Sequence, residues 1–127
     1  MSQHVLIAED EVALSGVMEE VLGKNKVRVT VTHNGQEAVE IMEKEVPDVL
    51  VLDILMPVLD GHGVLKAMKE KQLECPVIVV TNLSDQKTRN LCKEFHVKDY
   101  FVKSDMDDDD LWTTIEKYLR KAINRPV

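Results

Sequence analysis

Three short apolar runs constrain this chain more than any other feature: Val5-Leu6-Ile7-Ala8, Val49-Leu50-Val51-Leu52 and Val77-Ile78-Val79-Val80. Each is unbroken by a polar side chain and rich in β-branched residues. Such runs suit strands buried on both faces of a parallel sheet. The stretch Val27-Arg28-Val29-Thr30-Val31-Thr32 alternates strictly instead, which predicts a half-covered edge strand. A fifth strand is predicted around Lys98 to Val102, carrying Tyr100, Phe101 and Val102.

Helical spacing fills the intervals. Leu14, Val17, Met18, Val21 and Leu22 follow an i, i+3, i+4, i+7, i+8 stripe that Gly23 is placed to end. Ala38, Ile41 and Met42 mark a second helix opened by Asn34-Gly35, and Leu65, Met68 and Leu73 a third stopped before Pro76. Thr88, Leu91, Cys92 and Phe95 mark a fourth, with Ser84 as its N-cap. Leu111, Ile115, Tyr118, Leu119, Ala122 and Ile123 mark the last. Five β-α units therefore alternate, and right-handed crossovers place their helices on both faces of one open sheet. With strand 2 at an edge and strands 1, 3 and 4 interior, the order 2-1-3-4-5 follows. The expectation is one doubly wound α/β domain over residues 1–127, its core from about 4 to 123, without repeat, linker or low-complexity segment.

A chain of 127 residues fits one domain, and 44% hydrophobic with 31% charged residues excludes a disordered tail. No apolar run approaches the ~20 residues of a membrane helix. Met1-Ser2-Gln3-His4 leads straight into a strand without the pattern of a signal peptide, so a soluble cytoplasmic protein with no membrane partner is expected. A net charge of −7 repels a phosphate backbone and argues against direct nucleic-acid binding. Cys75 and Cys92 lack CxxC spacing and read as small hydrophobes; His4, His33, His62 and His96 are too scattered for a metal site.

Chemistry in an open parallel sheet gathers beyond the carboxyl ends of its strands. Strand 1 runs out into Glu9-Asp10-Glu11, strand 3 ends at Asp53, strand 4 at Thr81-Asn82 and strand 5 at Lys103-Ser104. Strands 1 and 3 are neighbours in the expected order, so Glu9, Asp10 and Asp53 should lie within a few ångströms of one another. Three carboxylates that close cannot all stay ionised without help, and a hard divalent cation with oxygen ligands supplies it; Mg²⁺ suits a shallow site that keeps some waters. Asp53 is then a candidate carboxylate nucleophile toward phosphorus. Lys103 adds positive charge and the Thr81 hydroxyl a hydrogen-bond donor, as phosphoryl transfer requires. Pro57 and Asp60-Gly61 read as turn residues that frame the site. Singly, each residue has a plainer role: Asp10 or Glu11 as a helix cap, Lys103 as a solvated charge, Thr81 as an ordinary strand residue. Five residues of complementary chemistry at one end of adjacent strands outweigh those roles together.

Glu9-Asp10, Asp53-x-x-Met56-Pro57-x-x-Asp60-Gly61, Thr81 and Lys103, in this order and spacing, closely resemble the receiver domain of two-component response regulators of the chemotaxis-regulator type. The resemblance runs from Val5 to about Ile123 and implies the flavodoxin-like topology. It implies that Asp53 is the phosphoacceptor, loaded from a sensor histidine kinase, a phosphotransfer protein or a small phosphodonor. The protein would then catalyse only its own phosphoryl transfer and dephosphorylation. It implies Mg²⁺, or Mn²⁺ as substitute, held by Asp10, Asp53 and the Leu55 backbone carbonyl, with Glu9 acting mainly through water. It further implies a switch in which Thr81 moves toward the phosphoryl group, Tyr100 turns inward, and the face of helix 4, strand 5 and helix 5 is remodelled for a downstream protein, as monomer or phosphorylation-dependent dimer. From the residues, Tyr100 reads equally well as an ordinary strand aromatic.

The family usually has a small residue where this chain has Asn82. It usually has a cis-linked Pro at Ser104, and a cis bond without Pro costs about 2.5–4 kcal/mol. Leu55 and Leu83 occupy the positions where the family tunes hydrolysis; two apolar side chains position water poorly, so a comparatively long-lived phospho-Asp53 is expected.

Competing classes fit less well. A haloacid-dehalogenase-like phosphatase needs a second acid two residues after its nucleophile, where this chain has Leu55. A flavodoxin-like electron carrier needs a hydroxyl- and glycine-rich phosphate loop after strand 1, where Glu9-Asp10-Glu11 would repel FMN phosphate. A receiver-shaped interaction module that is never phosphorylated would not need Asp10, Asp53, Thr81 and Lys103 intact. Asp105, Asp107, Asp109 and Glu116 match EF-hand spacing, but Asp110 replaces the required Gly and Leu111 onward is helical, so the run is read as an acidic helix N-terminus. Lys117, Arg120, Lys121 and Arg125 suit the basic end of that helix. Asn124-Arg125-Pro126-Val127 fits either the end of a single-domain regulator or the start of a linker.

Overall fold

The computed structural model describes residues 3–123. Five strands, β1 (His4–Ala8), β2 (Arg28–Thr32), β3 (Val49–Leu52), β4 (Val77–Thr81) and β5 (Asp99–Val102), form one parallel sheet of order β2-β1-β3-β4-β5. The helices α1 (Val12–Gly23), α2 (Gly35–Lys44), α3 (Gly61–Lys71), α4 (Gln86–Glu94) and α5 (Asp108–Ile123) alternate with them. This is the doubly wound, flavodoxin-like topology that the apolar runs predict.

Each interior strand feeds two cores, because successive side chains leave opposite faces of a sheet. Leu6, Ala8, Leu50, Leu52, Val77 and Val79 pack with α2, α3 and Cys92 of α4. Val5, Ile7, Val49, Val51, Ile78 and Val80 pack with Met18 and Leu22 of α1 and Leu111, Ile115 and Leu119 of α5. No polar residue interrupts these runs because neither face meets water. β2 is an edge strand, half-buried over most of its length, as its alternation requires.

Local chemistry sets the helix starts. Asn34 caps α2, its side chain accepting from the Glu37 N–H at 2.9 Å, and Asp60 caps α3, accepting from the Gly63 N–H at 2.8 Å. Asp107 accepts from the Asp110 N–H at 2.8 Å, and Asp108, Asp109 and Asp110 fill the first turn of α5 against the positive end of its dipole.

Three local expectations are corrected. α4 starts one residue later than expected: Asp85, not Ser84, is its N-cap residue, and the Asp85 carboxylate accepts from the Thr88 hydroxyl at 2.6 Å. Val17 is exposed, because α1 rests on the sheet through Ser15, Met18 and Leu22, a stripe rotated from the purely apolar one. Leu73 lies beyond α3, which ends with Gln72 in a left-handed conformation, and packs on the core from the following loop. Cys92 is buried and Cys75 half-buried; both are free thiols whose burial raises their pKa, Cys75 to about 12.

Candidate functional site

Strand register brings the site together. Ala8 lies beside Leu52, so the next residues, Glu9 and Asp53, emerge side by side, and the Asp53 N–H donates to the Ala8 carbonyl at 3.0 Å. Thr81 lies beside Val102, which delivers Lys103 one residue further on. The convergence expected of Glu9, Asp10 and Asp53 is present: each offers a carboxylate oxygen, all within 4.8 Å of one another. An all-oxygen donor set at that spacing fits a hard cation such as Mg²⁺.

Burial makes this cluster electrostatically demanding. Glu9 is 2% and Asp53 4% exposed, whereas Asp10 faces solvent. Desolvation raises the pKa of Glu9 to about 7, helped by the nearby Asp53 charge and opposed by hydrogen bonds from Lys103 and from the Glu11 N–H at 3.0 Å. The Lys103 ammonium supplies the compensation, 2.8 Å from Asp53 Oδ2, 2.8 Å from Glu9 Oε1 and 3.2 Å from Glu11 Oε2. Burial works against that ammonium, but its bonds to Asp53 and Glu9 prevail and hold its pKa above the ordinary lysine value. Asp53 Oδ1 also accepts from the Leu55 N–H at 3.3 Å, which orients the carboxylate toward the cleft.

Thr81 is fully buried, and its Oγ1 accepts from the Leu83 N–H at 3.4 Å. Asn82 and the Leu55 side chain lie exposed at the rim, and Leu83 is half-buried. Every described peptide bond is trans, that of Lys103–Ser104 included, and Lys103–Asp105 forms a 3₁₀ turn. Tyr100 packs against the core beside α4 with the Arg89 guanidinium 5.2 Å over its ring. Its hydroxyl is buried and has no hydrogen-bond partner among the described residues.

Two features escaped the sequence reading. Glu11 joins Lys103 across 92 positions of sequence, and its place next to Glu9-Asp10 was the one available signal. Val58 adopts a φ of 69° inside a tight turn closed by the Leu59 N–H and the Pro57 carbonyl at 2.7 Å. That conformation is an outlier for a β-branched residue, and Val carries no turn signal.

A doubly wound parallel sheet with clustered carboxylates, a buried threonine and a lysine at its carboxyl edge defines a class of phosphoryl-handling signalling domain. The family model for the response regulator receiver domain matches residues 5–116, and the chain belongs to that family. Sporulation initiation phosphotransferase F of Bacillus subtilis is 30% identical over 94% of this chain and 95% of its own length. The probable transcriptional regulator ycf27 of Cyanophora paradoxa is 32% identical over 94% of this chain. The chain spans only 39% to 49% of the length of the ycf27 relatives. Among solved structures, the receiver domain of a Pseudomonas aeruginosa sensor histidine kinase, with magnesium ion coordinated in the active site cleft, superposes with a TM-score of 0.82 at 26% identity, covering 93% of this chain and 98% of that one.

Proposed function

We propose that Asp53 is the phosphoacceptor of this receiver domain, with Thr81 and Lys103 completing the transfer site and Glu9, Asp10, Asp53 and the Leu55 carbonyl holding Mg²⁺ or, in its place, Mn²⁺. The observation that carries this reading is the Lys103 ammonium seated 2.8 Å from Asp53 and 2.8 Å from Glu9 beside three converging carboxylates. A carboxylate oxygen of Asp53 forms the new P–O bond while the P–N bond of a phosphohistidine, or the P–O bond to acetate in acetyl phosphate, breaks. The leaving group keeps the electron pair, and a departing imidazole takes a proton from water. Lys103 neutralises charge on the transferred group, and the Thr81 hydroxyl, rotating from its Leu83 contact, donates to a phosphoryl oxygen. When bound, the cation draws the anionic donor to the carboxylates and offsets developing negative charge.

A sensor histidine kinase or a phosphotransfer protein fits as donor, in keeping with the named roles of the relatives. The domain takes up residues 1–127, acts on its own aspartate rather than on free phosphoesters, and works in the cytoplasm. No described helix is long and apolar enough to cross a membrane. The −7 charge disfavours direct DNA contact by this segment, so output passes through a protein met by α4, β5 and α5, as monomer or phosphorylation-dependent dimer. Tyr100 and Thr81 are the residues that carry the switch.

Intact-mass spectrometry after incubation with acetyl phosphate, with and without Mg²⁺, on wild type and Asp53→Ala, tests this. One added phosphoryl group that requires both Mg²⁺ and Asp53 is expected. No adduct, together with failure to bind beryllofluoride, would replace this reading with that of an unphosphorylated interaction module.

A further inference from the structure

The pairing of β1 with β2 runs out just where the carboxylates begin. The Glu9 N–H still bonds the Thr32 carbonyl at 3.0 Å, but β2 stops at Thr32 and Asn34 is already the N-cap residue of α2. Among the described residues, no backbone N–H continues the ladder to the Glu9 carbonyl. The ring of His33 takes that rung instead, its Nδ1 lying 2.9 Å from the Glu9 carbonyl oxygen. A carbonyl only accepts, so Nδ1 carries the proton and donates. Because the peptide unit is planar, that bond fixes the orientation of the whole Glu9–Asp10 link. Asp10 is the exposed member of the three converging carboxylates, so packing does little to aim it and its direction depends on the backbone that carries it. His33 is not itself one of the converging groups, which are Glu9, Asp10 and Asp53.

Given that these carboxylates hold the cation, we infer that His33 is a positioning residue that locks the Glu9–Asp10 peptide and so keeps the Asp10 carboxylate aimed at the cation site. His33 grips backbone, and its bond therefore persists while the Glu9 and Asp53 side chains regroup around the ion. A ligand oriented in advance binds more tightly because it is not ordered at the moment the ion arrives. Without the His33 donor the peptide is free to turn, and the cation itself must order Asp10.

Titration with Mg²⁺ alone, followed by ¹H–¹⁵N NMR shifts, reads cation affinity without any phosphodonor and compares wild type with His33→Ala, His33→Asn and Asp10→Asn. Asparagine is the conservative variant, since its side-chain amide can donate from the place of the imidazole Nδ1. His33→Ala is expected to bind Mg²⁺ about threefold to tenfold more weakly, the loss of one hydrogen bond, and His33→Asn to return to within about twofold of wild type. Unchanged affinity in His33→Ala, with or without a lowered melting temperature in the absence of Mg²⁺, would make the contact merely structural and overturn the inference. An equal loss in both His33 variants would also overturn it, by tracing the effect to the ring rather than to the donated bond. Asp10→Asn that binds like wild type, or wild type that binds no Mg²⁺, overturns the cation-site reading and this inference with it.

Discussion

His4 shows what one buried polar side chain imposes on its surroundings. It opens β1 at 3% exposed, its Nε2 paired with the Thr30 hydroxyl at 2.8 Å, while its Nδ1 has no hydrogen-bond partner among the described residues. The charged groups around it are Glu45, 3.8 Å from that nitrogen, Asp48, which accepts from the His4 N–H at 2.8 Å, and Arg28, paired with Glu45. Burial first, and the Arg28 charge second, lower the pKa of His4, against the pull of Glu45 and Asp48. The folded state therefore keeps His4 neutral where the unfolded chain already takes up a proton. His4 costs nothing above its ordinary pKa of about 6.5, and stability falls as pH drops below that value toward the folded pKa. Urea melts at pH 7.5 and 5.5 should show wild type losing more stability than His4→Gln, which keeps a partner for Thr30 and cannot take up that proton. Equal losses in the two proteins would count against the assignment.

At the scale of the elements, the site depends on how β3 passes into α3. Gly61, the first residue of α3, donates to the Ile54 carbonyl at 2.8 Å. A Cβ there would stand 2.6 Å from the Asp53 carbonyl oxygen and 2.7 Å from the Ile54 Cα. Both are backbone atoms and cannot swing aside. Gly61→Ala should therefore cost about 1–3 kcal/mol and move the loop that carries Asp53. Its acetyl phosphate labelling should fall together with its thermal stability, and a fully stable variant would show that the loop yields freely. The turn residues of this loop were legible in the sequence as punctuation. The close approach of α3 to the backbone behind Asp53 was not, because it depends on how two elements pack. For the same reason the start of α4 shifted: Ser84 and Asp85 are both competent caps, and the structure uses the one whose carboxylate meets Thr88.

The whole molecule, already acidic at a net charge of −7, places further negative charge at one end of its sheet. A cation that binds there and not to the unfolded chain stabilises the fold by mass action, by about 2.7 kcal/mol at a hundredfold excess over its Kd. Thermal melts should rise by several degrees with Mg²⁺ in wild type and barely in Asp10→Asn, whose exposed side chain leaves the buried core untouched. An equal rise in both would place the cation elsewhere. By itself the sequence determined the five β-α units, the strand order and the edge that carries Glu9, Asp10, Asp53, Thr81 and Lys103. Those follow from apolar periodicity and from the fixed hand of parallel crossovers, which act over short stretches of chain. Only the tertiary structure decided that the Lys103 ammonium is seated among Glu9, Asp53 and Glu11, that Val17 faces outward while Ser15 is buried, and that the Tyr100 hydroxyl lies buried without a hydrogen-bond partner among the described residues. Those outcomes depend on distances between residues far apart in sequence and on the dielectric their burial creates, which no local pattern encodes.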